Sequence, residues 1–214
     1  GPEGLTDRTF IQAHGTSTPQ NRVTESHVLS QAATSFGATD MPVTAMKAYL
    51  GHSQGTAGGD QLHLSLGVWE HGILPGIITS NAVADDVYTD GLKFQLKHEE
   101  YGKDHFEAAL LNSKGFGGNN ATAVLLSPNR AMSMLRKRYS DEQLATYQDK
   151  NKAVQEAAQA YNQAMIRGEI EPIYRFGFNV LGGEELDITD KKIQLPGYQM
   201  PVDLNVENEF DDLV

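Results

Sequence analysis

Residues 8–19 have the sequence RTFIQAHGTSTP, and this stretch decides the fold class of the first part of the chain. Its first half, residues 8–13, predicts a short β-strand, and its polar, glycine-containing second half predicts a turn that begins at His14. Apolar and small residues then recur at helical spacing over residues 23–36. Another apolar run, at residues 41–45, predicts a second strand. Strands separated by helices indicate an α/β layered domain.

The rest of residues 1–128 continues this alternation. A closely packed helix is predicted at residues 53–70, where small residues give way to large apolar ones. Two strands, at residues 108–112 and 121–126, flank a glycine-rich turn and predict a hairpin-like pair. The first 128 residues are therefore expected to form one α/β domain.

The composition changes in residues 129–214, which we interpret as a C-terminal extension. Residues 140–167 are rich in Ala, Gln, Glu and Lys, and Ser140 and Gln143 have the spacing of a capping box. A thin apolar stripe along this segment predicts a long helix lying on a surface. Residues 169–214 contain repeated Pro and Gly, end in an acidic stretch, and are predicted to be irregular.

Composition limits the possible functions of the chain. The net charge is −11, which argues against a general nucleic-acid or anionic-membrane surface but leaves room for a small basic patch that docks an acidic partner. The chain has no cysteine, so within these 214 residues there is no disulfide, zinc–thiolate site or catalytic thiol.

The sequence also gives expectations about cellular location and chain boundaries. The apolar runs are too short to span a bilayer, and no charged-then-apolar leader is present, so we expect a cytoplasmic protein. Because the chain begins at Gly1 rather than at a methionine, we expect its first residue to be a boundary made by truncation or proteolysis.

Three short segments have the composition of an active site. They are HGTST at residues 14–18, KAYLGH at residues 47–52 and GFGGNN at residues 115–120, and each follows a predicted strand. Each pattern alone is also typical of a structural turn or hairpin. Because loops beyond the carboxyl ends of strands are where α/β sheets usually bind ligands, the three together predict one site.

The remaining histidines do not have metal-ligand spacing with a carboxylate, so no metal site is predicted. These residues are His27, His63, His71, His98 and His105.

On these three motifs, the chain from about Thr9 to Ser127 resembles the C-terminal catalytic half of β-ketoacyl synthases of the fatty-acid and polyketide type. The resemblance implies part of a thiolase-like α/β fold, in which two similar halves supply one active site. This chain would be the C-terminal half, with a helical and irregular C-terminal extension. An extension of this length resembles the larger, divergent bacterial synthases.

The resemblance also implies a reaction. A cysteine thiolate accepts an acyl chain from a carrier-protein thioester, malonyl thioester loses carbon dioxide, and the resulting enolate attacks the acyl-enzyme. We expect substrates carried on the phosphopantetheine of acyl carrier protein, with no metal or redox cofactor. We also expect a homodimer that binds neither nucleic acid nor membrane. Since the nucleophile would lie upstream, this chain alone is expected to be inactive.

By resemblance, His14 and His52 grip the malonyl thioester carbonyl as negative charge develops on its oxygen. Lys47 supplies positive charge that favours their neutral, donating form. The backbone N–H of Phe116 completes an oxyanion hole for the acyl-enzyme, while its ring gates the acyl pocket.

Further residues have supporting roles by resemblance. Thr16 and Thr18 offer hydroxyls to the phosphopantetheine arm. The turn around Phe116 depends on glycines that tolerate positive φ and close backbone approach. These are Gly115, Gly117 and Gly118.

Two positions depart from the family pattern. Arg22 stands where the family usually has an acid, eight residues after the first histidine, and Gln61 stands where an acid commonly pairs with the lysine. Glu25, which matches another family acid, is retained. Lys47 could therefore be unpaired or could pair with Glu25, and the alternative is that both departures are neutral changes around the site.

Two other functions stay open at this point. The protein could be a non-catalytic chain-length or scaffold subunit, although His14, His52 and Phe116 argue against this because such subunits tend to lose these motifs. It could also be a carrier-protein-binding module. For the extension, the alternatives are a structural wrap over the catalytic core or dimer and a platform for carrier protein or another partner.

Overall fold

The computed structural model describes residues 2–171, 177 and 180–205, and the described chain divides into two compact units between Tyr147 and Gln148. The acidic stretch at the end of the extension lies outside the described residues. In chain order the helices and strands are α1 (Pro2–Asp7), β1 (Thr9–Gln12), α2 (Pro19–Ser35), β2 (Asp40–Thr44), α3 (Lys47–Leu50), α4 (Ala57–His71), β3 (Ile73–Leu74), β4 (Gly91–Phe94), β5 (Glu99–Glu100), β6 (Ala108–Lys114), β7 (Asn120–Leu126), α5 (Pro128–Arg138), α6 (Asp141–Ile166), β8 (Asp187–Ile188), β9 (Lys192–Gln194) and β10 (Val202–Asp203).

The first unit is built on a five-stranded sheet with the order β4-β2-β1-β6-β7. The first four strands in this order are parallel, and β7 returns antiparallel to β6 at one edge. This mixed α/β arrangement agrees with the fold class expected from the sequence. Strand β1 lies at the centre, and all four of its residues are buried.

The central strand contributes to a core on each face of the sheet. Phe10 and Ile11 are 0% and 2% exposed, and they belong to two separate hydrophobic clusters. Successive side chains of a strand point to opposite faces, so both faces of the sheet are covered. In the Phe10 cluster, the ring of Phe106 lies 5.0 Å from that of Phe10, and Trp69 Nε1 donates to the Phe106 carbonyl at 2.9 Å.

Helix α2 begins earlier than the apolar spacing from residue 23 predicts. The Thr18 hydroxyl accepts a hydrogen bond from the Asn21 backbone N–H at 3.4 Å, and Pro19 occupies the first turn, where its missing N–H costs nothing. The helix start is therefore set by the cap and the proline rather than by the apolar stripe. This brings the helix up to the end of the HGTST turn.

The extension contains the long helix α6, in the region where the capping box and apolar stripe predict one. Beyond it, β8, β9 and β10 form a small antiparallel sheet with β9 in the middle. The sequence pattern does not predict these strands, because each is only 2 or 3 residues long and too short to show alternation. None of the helices in the described ranges is long and apolar enough to cross a bilayer.

The C-terminus of α4 gives a direct test of the packing. Gly72 has φ +75°, and a Cβ there would lie 2.8 Å from backbone atoms of Gly102 and Lys103. We expect Gly72→Ala to lower the free energy of unfolding by about 2 kcal/mol, through strain and steric overlap. Urea denaturation of the purified protein measures this.

Gly67→Ala is the matched control, because a Cβ at Gly67 within the same helix would meet no atom within 4 Å. Alanine is the better helix former, so this control is expected to leave stability unchanged or raise it by up to about 1 kcal/mol. Equal effects of the two substitutions would contradict the described helix end.

Candidate active site

The three polar segments meet at one edge of the main sheet, because β1, β2 and β6 are parallel and their carboxyl ends lie together. His14 follows β1, and Lys47 begins α3 shortly after β2. His52 lies just beyond α3. The turn of residues 115–119, called the gate turn below, joins β6 to β7.

The two histidine rings contact each other at this edge. Their centroids are 5.2 Å apart and their planes are nearly perpendicular, at 86°. His14 is buried, with 6% of its surface exposed, whereas His52 is exposed. Lys47 Nζ lies 3.5 Å from His14 Nδ1. The structure therefore brings these three side chains together.

Hydrogen bonds fix which ring nitrogen of each histidine can donate. The Lys47 ammonium has only donors, so His14 Nδ1 accepts from it. The backbone N–H of Gln54 donates to His52 Nδ1 at 3.0 Å. In a neutral imidazole only one nitrogen carries a proton, so both rings carry it on Nε2. The site thus has two imidazole N–H donors not used by these contacts.

The protonation of His14 is biased toward the neutral ring. Burial lowers the pKa of His14, the Lys47 charge lowers it further, and Glu25 acts in the opposite direction. Burial likewise lowers the pKa of Lys47, although Glu25 and Asp60 partly offset this. Both shifts have desolvation as their main cause, since water cannot stabilise the charged forms there.

The backbone after His14 needs glycine. Gly15 has φ +56°, and a Cβ at this position would lie 2.7 Å from the Ala45 Cβ, closer than real Cβ contacts come. The turn of β1 therefore packs directly on the end of β2. Ser17, two residues later, also has a positive φ, of 54°, which is uncommon for a non-glycine residue.

A buried carboxylate holds this turn in place. Glu25, on α2, is 5% exposed, and its oxygens accept from the backbone N–H groups of His14 at 2.7 Å and Gly15 at 3.0 Å. They also accept from the side-chain amides of Asn21 at 2.9 Å and Asn112 at 2.5 Å. One carboxylate therefore connects the His14 turn, helix α2 and strand β6.

The two departures from the family pattern have specific contacts. Arg22 forms a bidentate ion pair with Asp86, with both N–O distances at 2.8 Å, which ties the loop before β4 to α2. Gln61 is fully buried and donates to backbone carbonyls. Among the described residues, no carboxylate lies within ion-pair distance of Lys47, which contacts His14 and is affected by Glu25 only at longer range.

The two predicted substrate-binding threonines lie side by side. Thr16 Oγ1 and Thr18 Oγ1 are 3.4 Å apart; Thr18 is exposed and Thr16 is half-buried. Thr18 also caps α2 through its contact with Asn21. The Thr16 hydroxyl therefore has more capacity left for a ligand than the Thr18 hydroxyl.

The gate turn is exposed and lacks a ring contact to the histidines. The Gly115 N–H donates to the Asn119 carbonyl at 2.7 Å and closes the turn, while Gly117 and Gly118 have φ of 80° and 84°. The Phe116 side chain is fully exposed, and in the described part of the chain its ring contacts no other aromatic ring. The structure thus places Phe116 at the same sheet edge as the histidines without joining it to them.

The hydrogen bonds that Asn112 and Gln61 make at the site do not follow from the sequence, although the resemblance already marks position 61 as part of the site. Asn112 interrupts the apolar run of β6, and Gln61 lies four residues before Ser65 on the buried face of α4. The signal available in the sequence was a polar residue at a position where the hydrophobic pattern predicts an apolar one. This signal does not identify their hydrogen-bond partners, which lie more than 45 residues away in sequence.

Comparisons with known proteins identify relatives of this chain. Residues 6–81 match the family model described as "Beta-ketoacyl synthase, C-terminal domain". The chain is 42% identical over all 214 residues to beta-ketoacyl-[acyl-carrier-protein] synthase FabY of Pseudomonas aeruginosa, and it covers 34% of that protein. It is 33% identical over 116 residues to 3-oxoacyl-[acyl-carrier-protein] synthase 1 of Escherichia coli K12, covering 54% of this chain and 27% of the relative.

Solved structures of ketosynthases are also similar to this chain. The crystal structure of the ketosynthase FabY from P. aeruginosa matches with a TM-score of 0.75 and 41% identity, over 100% of this chain and 33% of that one. The ketosynthase from module 6 of the Bacillus subtilis bacillaene synthase matches with a TM-score of 0.52, over 59% of this chain and 23% of that one. At 20% identity, this second match shows the fold alone. The chain spans about a third of the length of the FabY protein, and that match includes the extension.

The Glu25 contacts predict a large cost for changing that side chain. Glu25→Gln replaces one acceptor oxygen by an NH₂ group that faces N–H donors, so we expect the free energy of unfolding to fall by about 2 kcal/mol. Denaturant titration measures the change. Glu70→Gln, at an exposed position of α4, is the matched control and should stay within about 0.5 kcal/mol of the parent. Equal values for the two variants would contradict the assigned contacts.

The lowered pKa of His14 predicts a pH dependence of stability. As pH falls below about 6.5, the unfolded chain binds a proton at His14 before the folded protein does, so the free energy of unfolding decreases. His14→Gln removes this contribution, and its stability should vary less with pH just below about 6.5. Thermal melts across that range measure it, with exposed His71→Gln as control. Parallel curves for the parent and His14→Gln would refute the shift.

Proposed function

Because this chain belongs to the β-ketoacyl synthase family, we propose that it forms the C-terminal part of the active site of a β-ketoacyl-[acyl-carrier-protein] synthase. The intact enzyme would be an acyltransferase that condenses malonyl thioester with an acyl thioester in fatty-acid-type biosynthesis. The observation that carries this proposal is the pair of Nε2–H donors on His14 and His52, whose Nδ1 atoms both accept hydrogen bonds. A donor pair of this kind suits a carbonyl oxygen on which negative charge grows.

In the proposed reaction, these donors act mainly in the decarboxylation step. When the malonyl carboxylate leaves as carbon dioxide, its bonding electrons form an enolate, and the thioester oxygen becomes negative. Two fixed N–H donors stabilise that oxygen more than the uncharged carbonyl, and so they lower the barrier. The low pKa of His14 serves this role, because a neutral ring donates without delivering its proton to the enolate.

The enolate carbon then attacks the acyl group held as a thioester on the enzyme, and a second oxyanion forms on the acyl carbonyl. When that oxyanion collapses, the bond between the acyl carbon and the enzyme sulfur breaks and the thiolate leaves. We propose that the backbone N–H of Phe116 stabilises this second oxyanion. The glycines on both sides of Phe116 let the backbone approach a ligand closely, and the exposure of the gate turn leaves its ring free to cover an acyl pocket.

The remaining parts of the proposal concern substrates and partners. Thr16 and Thr18 would bind the phosphopantetheine arm, and acyl carrier protein would deliver both thioesters. The electrons of the new carbon–carbon bond come from the bond to the departing carbon dioxide, and no atom needs an external oxidant or reductant, so the proposed reaction requires no metal or redox cofactor. The nucleophilic cysteine would lie in the segment upstream of this chain. The homodimer and the cytoplasmic location stay predictions.

The role of the histidines is testable in the intact protein. We expect His14→Ala and His52→Ala each to lower the rate of condensation on the order of 10²- to 10³-fold, because each removes one oxyanion donor. Formation of the acyl-enzyme should change much less. Radiolabelled malonyl-carrier-protein measures the first quantity, and intact mass measures the second.

Two controls accompany this experiment. His71→Ala, at the exposed end of α4, should behave as the parent, and residues 1–214 alone should give no product because they contain no thiol. Condensation by residues 1–214 alone would overturn the assignment. An inactive intact parent would instead favour a non-catalytic subunit of a condensing complex. Full activity in both histidine variants would contradict the proposed role of His14 and His52 as oxyanion donors.

A further inference from the structure

We propose that Gln61 is a positioning residue that fixes the separation of the ends of β1 and β6, and through them the placement of His14 and the gate turn. Gln61 lies on α4 and is 0% exposed. Its Nε2 donates to three backbone carbonyls, those of Gln12 at 3.3 Å, Ala13 at 3.0 Å and Asn112 at 2.9 Å.

The amide lies where the strand ladder stops. Parallel pairing of β1 with β6 runs from Thr9–Ala108 to Gln12–Leu111, so Ala13 and Asn112 are the next residues on the two strands. The carbonyls of these two residues lie beyond the paired part of β1 and β6, so they lack the regular hydrogen bonds between the two strands. A buried carbonyl without a donor lowers the stability of the folded protein. The Gln61 amide supplies the missing donors and bridges the strands one step past the end of their pairing.

This bridge completes a ring of contacts around the site, which we call the strand-end ring. Gln61 joins Ala13 to Asn112, the Asn112 amide donates to Glu25, and Glu25 accepts the N–H of His14, the residue after Ala13. Asn112 also lies three residues before the gate turn. A shift at Gln61 would therefore move both the first histidine and the start of the gate turn.

The position requires a neutral amide rather than an acid. Glutamate has the same shape, but an ionised carboxylate has no proton to donate and would face three carbonyl oxygens. The Oε1 atom of Gln61 lies 3.4 Å from the Ser113 hydroxyl, a contact that orients the NH₂ group toward the strand ends. The departure from the family acid at Gln61 is thus matched to its surroundings.

The chain offers a matched control in Gln95. This second buried glutamine, 1% exposed, follows β4, and among the described residues its side-chain amide donates to no backbone carbonyl, although it interacts with the Glu99 carboxylate and helps to lower the pKa of that group. A change of glutamine to methionine keeps a similar side-chain length and removes the polar atoms at either position. Only at Gln61 does it leave strand-end carbonyls without their donor.

The first experiment compares Gln61→Met with Gln95→Met in the intact protein. We expect Gln61→Met to lower kcat for condensation at least about tenfold, with KM for the carrier thioester within about twofold, because misplacement of catalytic groups acts on the transition state. Gln95→Met should keep kcat within about twofold of the parent. Equal kcat values for the two variants would overturn the proposal.

The second experiment uses Gln61→Glu, whose effect should depend on pH. Burial raises the pKa of the introduced carboxyl, so the acid is protonated at low pH and can donate one hydrogen bond, whereas at high pH it cannot donate. The Tm of Gln61→Glu relative to the parent should therefore fall as pH rises from about 5.5 to about 8. The Tm deficit of Gln61→Met should change little.

The other titratable groups around the strand-end ring are His14, Glu25, Lys47, His52, Asp60 and Lys114. They are present in the parent and in every variant, so a pH dependence unique to Gln61→Glu belongs to the introduced carboxyl. A Tm deficit of Gln61→Glu that stays constant with pH would overturn the requirement for a donor.

The kcat comparison rests on the proposed function, whereas the Tm comparison does not. An inactive parent would defeat the proposed function, and a pH-dependent Tm deficit in Gln61→Glu would still support the positioning role. An active parent with equal Gln61→Met and Gln95→Met variants would defeat the positioning role alone.

Discussion

The rest of the site depends on one buried carboxylate and the N–H groups that surround it. Glu25 accepts from the backbone of His14 and Gly15 and from the amides of Asn21 and Asn112. Four donors compensate for the cost of burying this charge, which would otherwise be several kcal/mol. The same contacts determine where the first histidine lies, because its backbone N–H is one of the four.

The electrostatics of the site follow from this arrangement. Burial and the Lys47 ammonium favour the neutral form of His14, while the carboxylate of Glu25 opposes that effect without an ion pair to Lys47. The carboxylate is already occupied by N–H donors, so the ammonium is available to His14 Nδ1. The ring therefore donates from Nε2, which is the property that the proposed reaction needs.

Much of the fold could be predicted from the sequence, because strand β1 and the turn after it form from residues adjacent in the chain. The contacts that complete the site could not. The Gln61 bridge, the Asn112–Glu25 contact and the Arg22–Asp86 ion pair each join residues 48 or more positions apart. The spacing of hydrophobic residues in the sequence predicts which residues are buried. The hydrogen-bond partner of a buried polar group depends instead on how the strands are paired in the fold.

If Glu25 links α2 to β6 and thereby holds the site together, its contribution to stability must be coupled to that of Asn112, and a double-mutant cycle measures this coupling most directly. Glu25→Ala, Asn112→Ala and the double variant would be compared by denaturant unfolding of the purified protein. The described contact at 2.5 Å predicts a coupling energy of about 1–3 kcal/mol between the two positions. Effects that add to within about 0.5 kcal/mol would contradict it.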